Sequence, residues 1–238
     1  MLHNSSGFIS PNPLNLCIES FSLCSCINLL YSADPFFIFA ASNNCTAAGG
    51  VLTISSAVTL TASSVDLQSS GDIVISDGEL NCTGKFDHDG GVTMSGGTLD
   101  IDGEYESSAS TTETISAGTI EVAGEWDGAN DDAFTPTGGT VYMNNSADKN
   151  LAQHTSSNFW NLTIGNSGGD VDATATLDID GDLTINSAAN LDIDGSGVNI
   201  ELAGSYSNSG TLTISGETIT FDGTGTEYCN AISDATAI

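Results

Sequence analysis

The stretch Val92 to Tyr105 reads VTMSGGTLDIDGEY, and its pattern decides the fold. An apolar-x-apolar pair, Val92 and Met94, is followed by Ser95, two turn residues and Thr98, and then by a second such pair, Leu99 and Ile101. The pattern recurs without gaps at Ile73 to Phe86 (IVISDGELNCTGKF), Glu113 to Trp126 (ETISAGTIEVAGEW) and Leu212 to Gly225 (LTISGETITFDGTG). Glu113 is the exception, standing where the other copies carry an apolar residue. The first three copies close on Gly-x-aromatic: Gly84-Lys85-Phe86, Gly103-Glu104-Tyr105 and Gly124-Glu125-Trp126. Val198 to Tyr206 (VNIELAGSY) repeats that closing half.

Alternation with a period of two puts Leu80, Cys82, Leu99, Ile101, Ile120 and Val122 on one face of successive strands. Asn81, Asp100 and Glu121 lie between them and must face water. The shared Ser76, Ser95, Ser116 and Ser215, with Gly78, Gly97 and Gly118, suit a turn with positive φ and local capping. Each copy is therefore a strand, a corner and a second strand.

The unit recurs from Leu80 to Leu99 and again from Leu99 to Ile120, which gives a coil of about 19–21 residues. Further on, Leu162 with Leu183, Leu191 with Leu212, and Val198 with Ile219 repeat at the same spacing as Leu99 with Ile120. A period of that length carrying several short strands is the size of one β-helix coil. A lone coil has no core, so coils must stack ~4.8 Å apart to bury their inward columns. Nine or ten coils, a rod of roughly 45 Å at that spacing, are expected. A longer identity also exists. Thr98 to Gly103 (TLDIDG) returns as Thr176 to Gly181, and Val141-Tyr142-Met143 returns as Ile219-Thr220-Phe221, a larger unit of about 78 residues. Four steps from Leu99 at the Leu99-to-Ile120 spacing would overshoot it. The longer identity is expected to set the register, with Asp127 to Phe134 (DGANDDAF) making one coil irregular. On that reading the chain stops within a second copy and is cut from a longer protein.

Composition narrows the partners. Among 238 residues, 31 are acidic and 2 are basic, a formal charge of −29. The basic residues are Lys85 and Lys149. Neutralising phosphates takes Lys and Arg, so nucleic-acid binding is excluded. Anionic membranes and polyuronates would be repelled. Hydrophobic residues make up 39% of the chain and alternate regularly, which argues against disorder. The acidity suits a saline or calcium-containing milieu, in which cations screen the surface.

Residues 1–45 do not share the repeat and form a segment of unknown role, with the solenoid expected over 46–238. The stretch Cys26 to Ala41 is apolar but broken by Asp34-Pro35, too short to span a membrane. It reads either as a degenerate signal peptide or as a misassigned start or the end of a preceding domain; no Lys or Arg precedes residue 85. Cys24-Ser25-Cys26 lacks zinc-site spacing, and a disulfide among Cys17, Cys24, Cys26 and Cys45 is the better reading if the segment is exported.

The succession Phe134-Thr135-Pro136-Thr137-Gly138-Gly139-Thr140-Val141, Phe159-Trp160-Asn161-Leu162-Thr163-Ile164 and Asp182-Leu183-Thr184-Ile185 resembles the tandem repeats of bacterial surface and secreted adhesin-like proteins. The resemblance covers residues 70 to 238. It implies an all-β fold, a parallel right-handed β-helix (β-solenoid), in an extracellular or cell-surface structural or adhesive role. Fold alone says little about function.

The Asp-x-Asp pairs Asp100/Asp102, Asp178/Asp180 and Asp192/Asp194 invite calcium ligation or glycoside hydrolysis. They repeat with the fold, whereas an active site occurs once, so they read as a solvated acidic face. His88 reads as a turn residue, and neither it nor His154 has the flanks of a polygalacturonase site, although Asp131-Asp132 is present. Phe86, Tyr105, Trp126 and Tyr206 share a position after Gly and read as core, not as a sugar-binding strip. Cys82 reads as a small buried hydrophobe.

No catalytic, cofactor-binding or metal residue is therefore assigned, and the expected function is a non-catalytic structural or adhesive segment. Cofactors are expected to be none beyond weak calcium binding. The expected partners are glycans, a host or matrix surface, or further copies joined end to end. The alternative is a carbohydrate-active β-helix acting on a neutral glycan.

Overall fold

Short strands bury alternate side chains and then turn, as in Glu79–Cys82, where Leu80 and Cys82 are buried and Asn81 is half-buried. The computed structural model describes residues 50–230 except 56–57, 69–70, 109–110, 132–133, 166–167 and 227–228, together with the short strands Ile18–Glu19, Ile38–Ala40 and Cys45–Ala47. Every regular element among them is a strand. All strand pairings among them are parallel except that of Ile18–Glu19 with Gly50–Ile54. The chain is a parallel β-solenoid of about eight turns among the described residues, against the nine or ten expected.

Each coil contributes to three columns. The third is the simplest, a nine-stranded sheet running from Cys45–Ala47 through Val65–Leu67, Phe86–His88, Tyr105–Ser107 and Trp126–Gly128 to Thr211–Thr213. The second column runs through Leu60, Leu80, Leu99, Ile120, Val141, Leu162 and Leu183, each in register with the next. The first begins with Gly50–Ile54 and Gly71–Ile75 and ends with Leu177–Ile179, Ile200–Leu202 and Ile219–Phe221. Between these, the long strands Gly91–Ile101 and Thr112–Val122 pass through both first and second columns, bending where the pairing register shifts between Met94 and Thr98.

That bend is the predicted corner. Gly97 and Gly118 sit there at φ 72° and 97°, a region costly for residues with a Cβ. Gly78 occupies the same place without positive φ. It is required for space, since a Cβ there would stand 2.7 Å from the Val58 carbonyl oxygen.

The core is one continuous column of apolar side chains from Leu52 to Leu212. Leu80, Cys82, Leu99, Ile101, Ile120 and Val122 are all buried within it. Burying each Leu or Ile contributes about 1.5–3 kcal/mol. The cysteines Cys17, Cys24 and Cys26 lie outside the described residues.

Two register expectations are corrected. Leu99 belongs to the second column, whereas Leu177, its counterpart in the longer identity, pairs with Ile200 in the first. Val141 and Ile219 are separated in the same way. The longer identity therefore repeats a local corner and not a register, while Leu99 reaches Leu183 in four in-register steps. Val198 is not the partner of Ile219, because Ile200 takes that place. The irregular coil is real: Trp126 pairs with Leu151, a longer step along the chain than that from Tyr105 to Trp126.

Candidate functional site

The corner between the third and first columns carries buried polar side chains, among them Gln153, Ser157 and Asn158 at one level and an ionisable group around Tyr105. In the third column Leu67 is followed in register by His88 and then Ser107. In the first, Leu52, Ile73 and Val92 are followed by Glu113. Asp131, just after Trp126–Gly128, completes the group. His88 and Asp131 are fully buried, and the Glu113 side chain has no solvent exposure.

Hydrogen bonds fix the His88 ring. Its Nδ1 lies 3.4 Å from the Gly90 carbonyl and its Nε2 lies 2.8 Å from the Tyr105 hydroxyl. With a carbonyl as the acceptor at Nδ1, the proton belongs there, and Tyr105 donates to Nε2. Burial pushes the His88 pKa down, keeping the ring neutral. The 3.4 Å approach of Glu113 Oε1 to Nε2 is consequently a contact and not an ion pair. Asp131 accepts at Oδ1 from the Thr111 hydroxyl, 3.1 Å away, and its backbone carbonyl accepts from the Ser157 hydroxyl. Both Glu113 carboxyl oxygens and the Ser107 hydroxyl are buried, Glu113 beside Thr111 and Asp131 and Ser107 beside Tyr105. Burial first, and then the Asp131 charge, push the Glu113 pKa up to about 8.

Beside this group the aromatics of the Gly-x-aromatic motif form a stack. Phe86 and Tyr105 are stacked at 6.1 Å, and Tyr105 and Trp126 at 4.0 Å. Phe134 and Phe159 continue the contact edge-on against Trp126. All are buried, so the stack offers no sugar-binding strip. Tyr206, expected to share their position, lies in the second column between Leu183 and Cys229, because its motif has moved round by one face.

The Asp-x-Asp pairs lie outside. Asp100, Asp178 and Asp192 are half-buried within strands, Asp192 at the end of its strand, while Asp102, Asp180 and Asp194 are exposed in the turns that follow. Their inward neighbours Leu99, Ile101, Leu177, Ile179, Leu191 and Ile193 are buried. Partial burial, together with nearby carboxylates, raises the pKa of Asp100 and Asp178. Further acids stack in register: Asp66, Asp87, Glu106 and Asp127 follow one another up the third column. Lys85 reaches into this ladder, pairing with Asp87, Glu104 and Glu106. Higher in the same column, carboxylate oxygens of Asp170, Asp172 and Asp192 lie within 4.8 Å of one another.

Sequence reasoning missed the interior group. His88 is not a turn residue but an inward strand residue. Its signal lay two positions after the aromatic Phe86, on the same face. Glu113 was visible as the one acid in an apolar column, and Asp132, the neighbour of Asp131, lies outside the described residues. Cys82 is as expected: it is buried, its thiol donates to the Lys85 carbonyl at 3.2 Å with the Gly84 carbonyl next nearest at 3.4 Å, and burial raises its pKa.

Comparison with family models, curated proteins and solved structures returned no match.

Proposed function

We propose that this chain is a structural and adhesive segment of an extracellular or cell-surface protein, acting without catalysis. The supporting observation is the distribution of its ionisable groups. Those that recur with the fold, such as the Asp66–Asp87–Glu106–Asp127 ladder, face outward on successive coils. The constellation with catalytic residue types, His88, Glu113 and Asp131, is sealed in the core, where no substrate reaches it. Repeated faces on a stiff rod suit contacts that are weak singly and strong when multiplied. Without Arg and with two Lys, such a face takes neutral glycans, cationic surfaces or proteins, and repels nucleic acid.

The test is binding of the purified chain to glycan arrays and immobilised matrix proteins, with product release followed in parallel. Retention without turnover supports the reading. Hydrolysis of a neutral glycan that is lost in Asp100→Asn/Asp102→Asn or in Asp192→Asn/Asp194→Asn overturns it in favour of a carbohydrate-active domain.

A further inference from the structure

We propose that Glu113 keeps its proton beside Asp131 inside the solenoid, and that removing it loosens the coils around the Tyr105–Trp126 stack. Two carboxyl groups stand in a dry core that has no basic residue able to neutralise them. Glu113 occupies a column that is otherwise Leu52, Ile73 and Val92, and its side chain is inaccessible to water. It has no cationic partner among the described residues, and its carboxyl neighbour is Asp131, an arrangement that a charged carboxylate does not tolerate at that depth.

The groups facing Glu113 from the packed elements are few. From Phe86–His88 comes His88, whose Nε2 lone pair is already taken by the Tyr105 hydroxyl. From Tyr105–Ser107 come Tyr105 itself and the Ser107 hydroxyl. The turn before Thr112–Val122 supplies Thr111, and the turn after Trp126–Gly128 supplies Asp131. Val92, its register partner in Gly91–Ile101, is apolar. Asp87 and Asp89, near His88 on the outer side, add only negative potential. Every ionised group near the pair is thus an acid, and a proton is what remains to neutralise it.

Burial, and then a neighbouring like charge, makes a carboxyl keep its proton well above the ordinary range. Glu113 is that carboxyl, titrating at about 8. A group whose folded pKa is raised contributes stability that is full below its unfolded pKa and is lost as pH rises through the folded value. Stability therefore declines from the ordinary Glu value of about 4.3 upward and levels off once the folded group has ionised. The folded chain still holds the proton at neutral pH. The charge that appears when it leaves lies beside the ring stack that joins successive coils.

Infrared difference spectra of the whole chain, stepped from about pH 6.5 to about pH 9, read the proton directly. The expected result is a protonated-carboxyl band present at neutral pH, lost near pH 8 in the wild type and absent in Glu113→Gln. Thermal melts of the same samples should show the wild type losing about 5 °C over that interval and Glu113→Gln losing about 1 °C or less. A wild type with no such band at neutral pH overturns the proposal even if the variant does not fold. So does an equal alkaline loss in both proteins. An alkaline transition that moves with added calcium or with chelator also overturns it, in favour of a cation as the neutralising group.

Discussion

The Tyr105 ring lies flat on the Trp126 indole one coil further on, centroids 4.0 Å apart and planes 8° from parallel. Their strands are in direct parallel register, so the stack follows from coil spacing and needs no special bend. Each ring fills the core at its own level and supplies the floor for the next.

Truncating either ring should open a cavity that the stacked backbone cannot close. Trp126→Ala and Tyr105→Ala are each expected to cost about 3–5 kcal/mol in chemical denaturation. The double variant should cost about 0.5–1.5 kcal/mol less than the sum, that being the worth of the aromatic contact itself. Strict additivity would mean that the two rings act only as separate fillers.

Glycine is needed at two kinds of place, and substitution separates them. Gly124 has ordinary φ, yet a Cβ there would collide with the Gly103 carbonyl oxygen in the coil below. Gly197 has φ 80° but nothing within 4 Å of the added carbon. Gly124→Ala is expected to destabilise by roughly 2–3 kcal/mol through forced displacement of a coil. Gly197→Ala should cost about 1 kcal/mol, the left-handed backbone alone. Thermal melts of the pair would show the order, and a reversed order would refute the steric account.

The outward carboxylates predict stability that increases in mild acid. Asp178 faces Glu201 directly across the first column, with Asp180 and Asp222 near. Burial and then these charges raise its pKa, so the folded chain holds this proton more tightly than the unfolded chain does. The stability that comes with the proton is full below the ordinary Asp value of about 3.9 and is lost as pH rises through the raised value. Water screens much of the repulsion at this partly exposed site, so Asp178→Asn should stabilise by only about 0.5 kcal/mol at pH 7. At about pH 2.5, below the ordinary Asp value, the same substitution should gain much less, because folded and unfolded chains both hold the proton there. Melts of both proteins at the two pH values test the sign.

The strands and corners were legible because alternation and Gly-x-aromatic spacing are local. Leu80, Leu99 and Ile120 show this: matching patterns one coil apart fell into one column. Which face a later copy occupies was not legible. Leu212 to Gly225 repeats the same pattern, yet Leu212 lies in the third column and Ile219 in the first, whereas Ile73 and Leu80 straddle the first and second. The motif encodes a corner, and the length of chain inserted between corners decides which corner it becomes. The interior acid group was half legible: Glu113 broke the pattern visibly. Its meeting with Asp131 and His88 depends on stacking three coils, which no local window contains.

Salt should stabilise the rod, and Lys85 should decide how much. The lysine ammonium sits among Asp87, Glu104 and Glu106, within a ladder that places acid on acid from Asp66 to Asp127. Its side chain is 39% exposed, so its pairs are partly screened by water. Lys85→Met is expected to lower stability by up to about 1 kcal/mol at low ionic strength. Raising sodium chloride toward about 1 M shrinks the screening length to about 3 Å and should lift the melting temperature of both proteins. The lift should be larger in Lys85→Met, where repulsion is no longer offset by a cation within the ladder. A wild type that melts earlier as salt rises would mean that attraction to Lys85 outweighs repulsion along the whole acidic face.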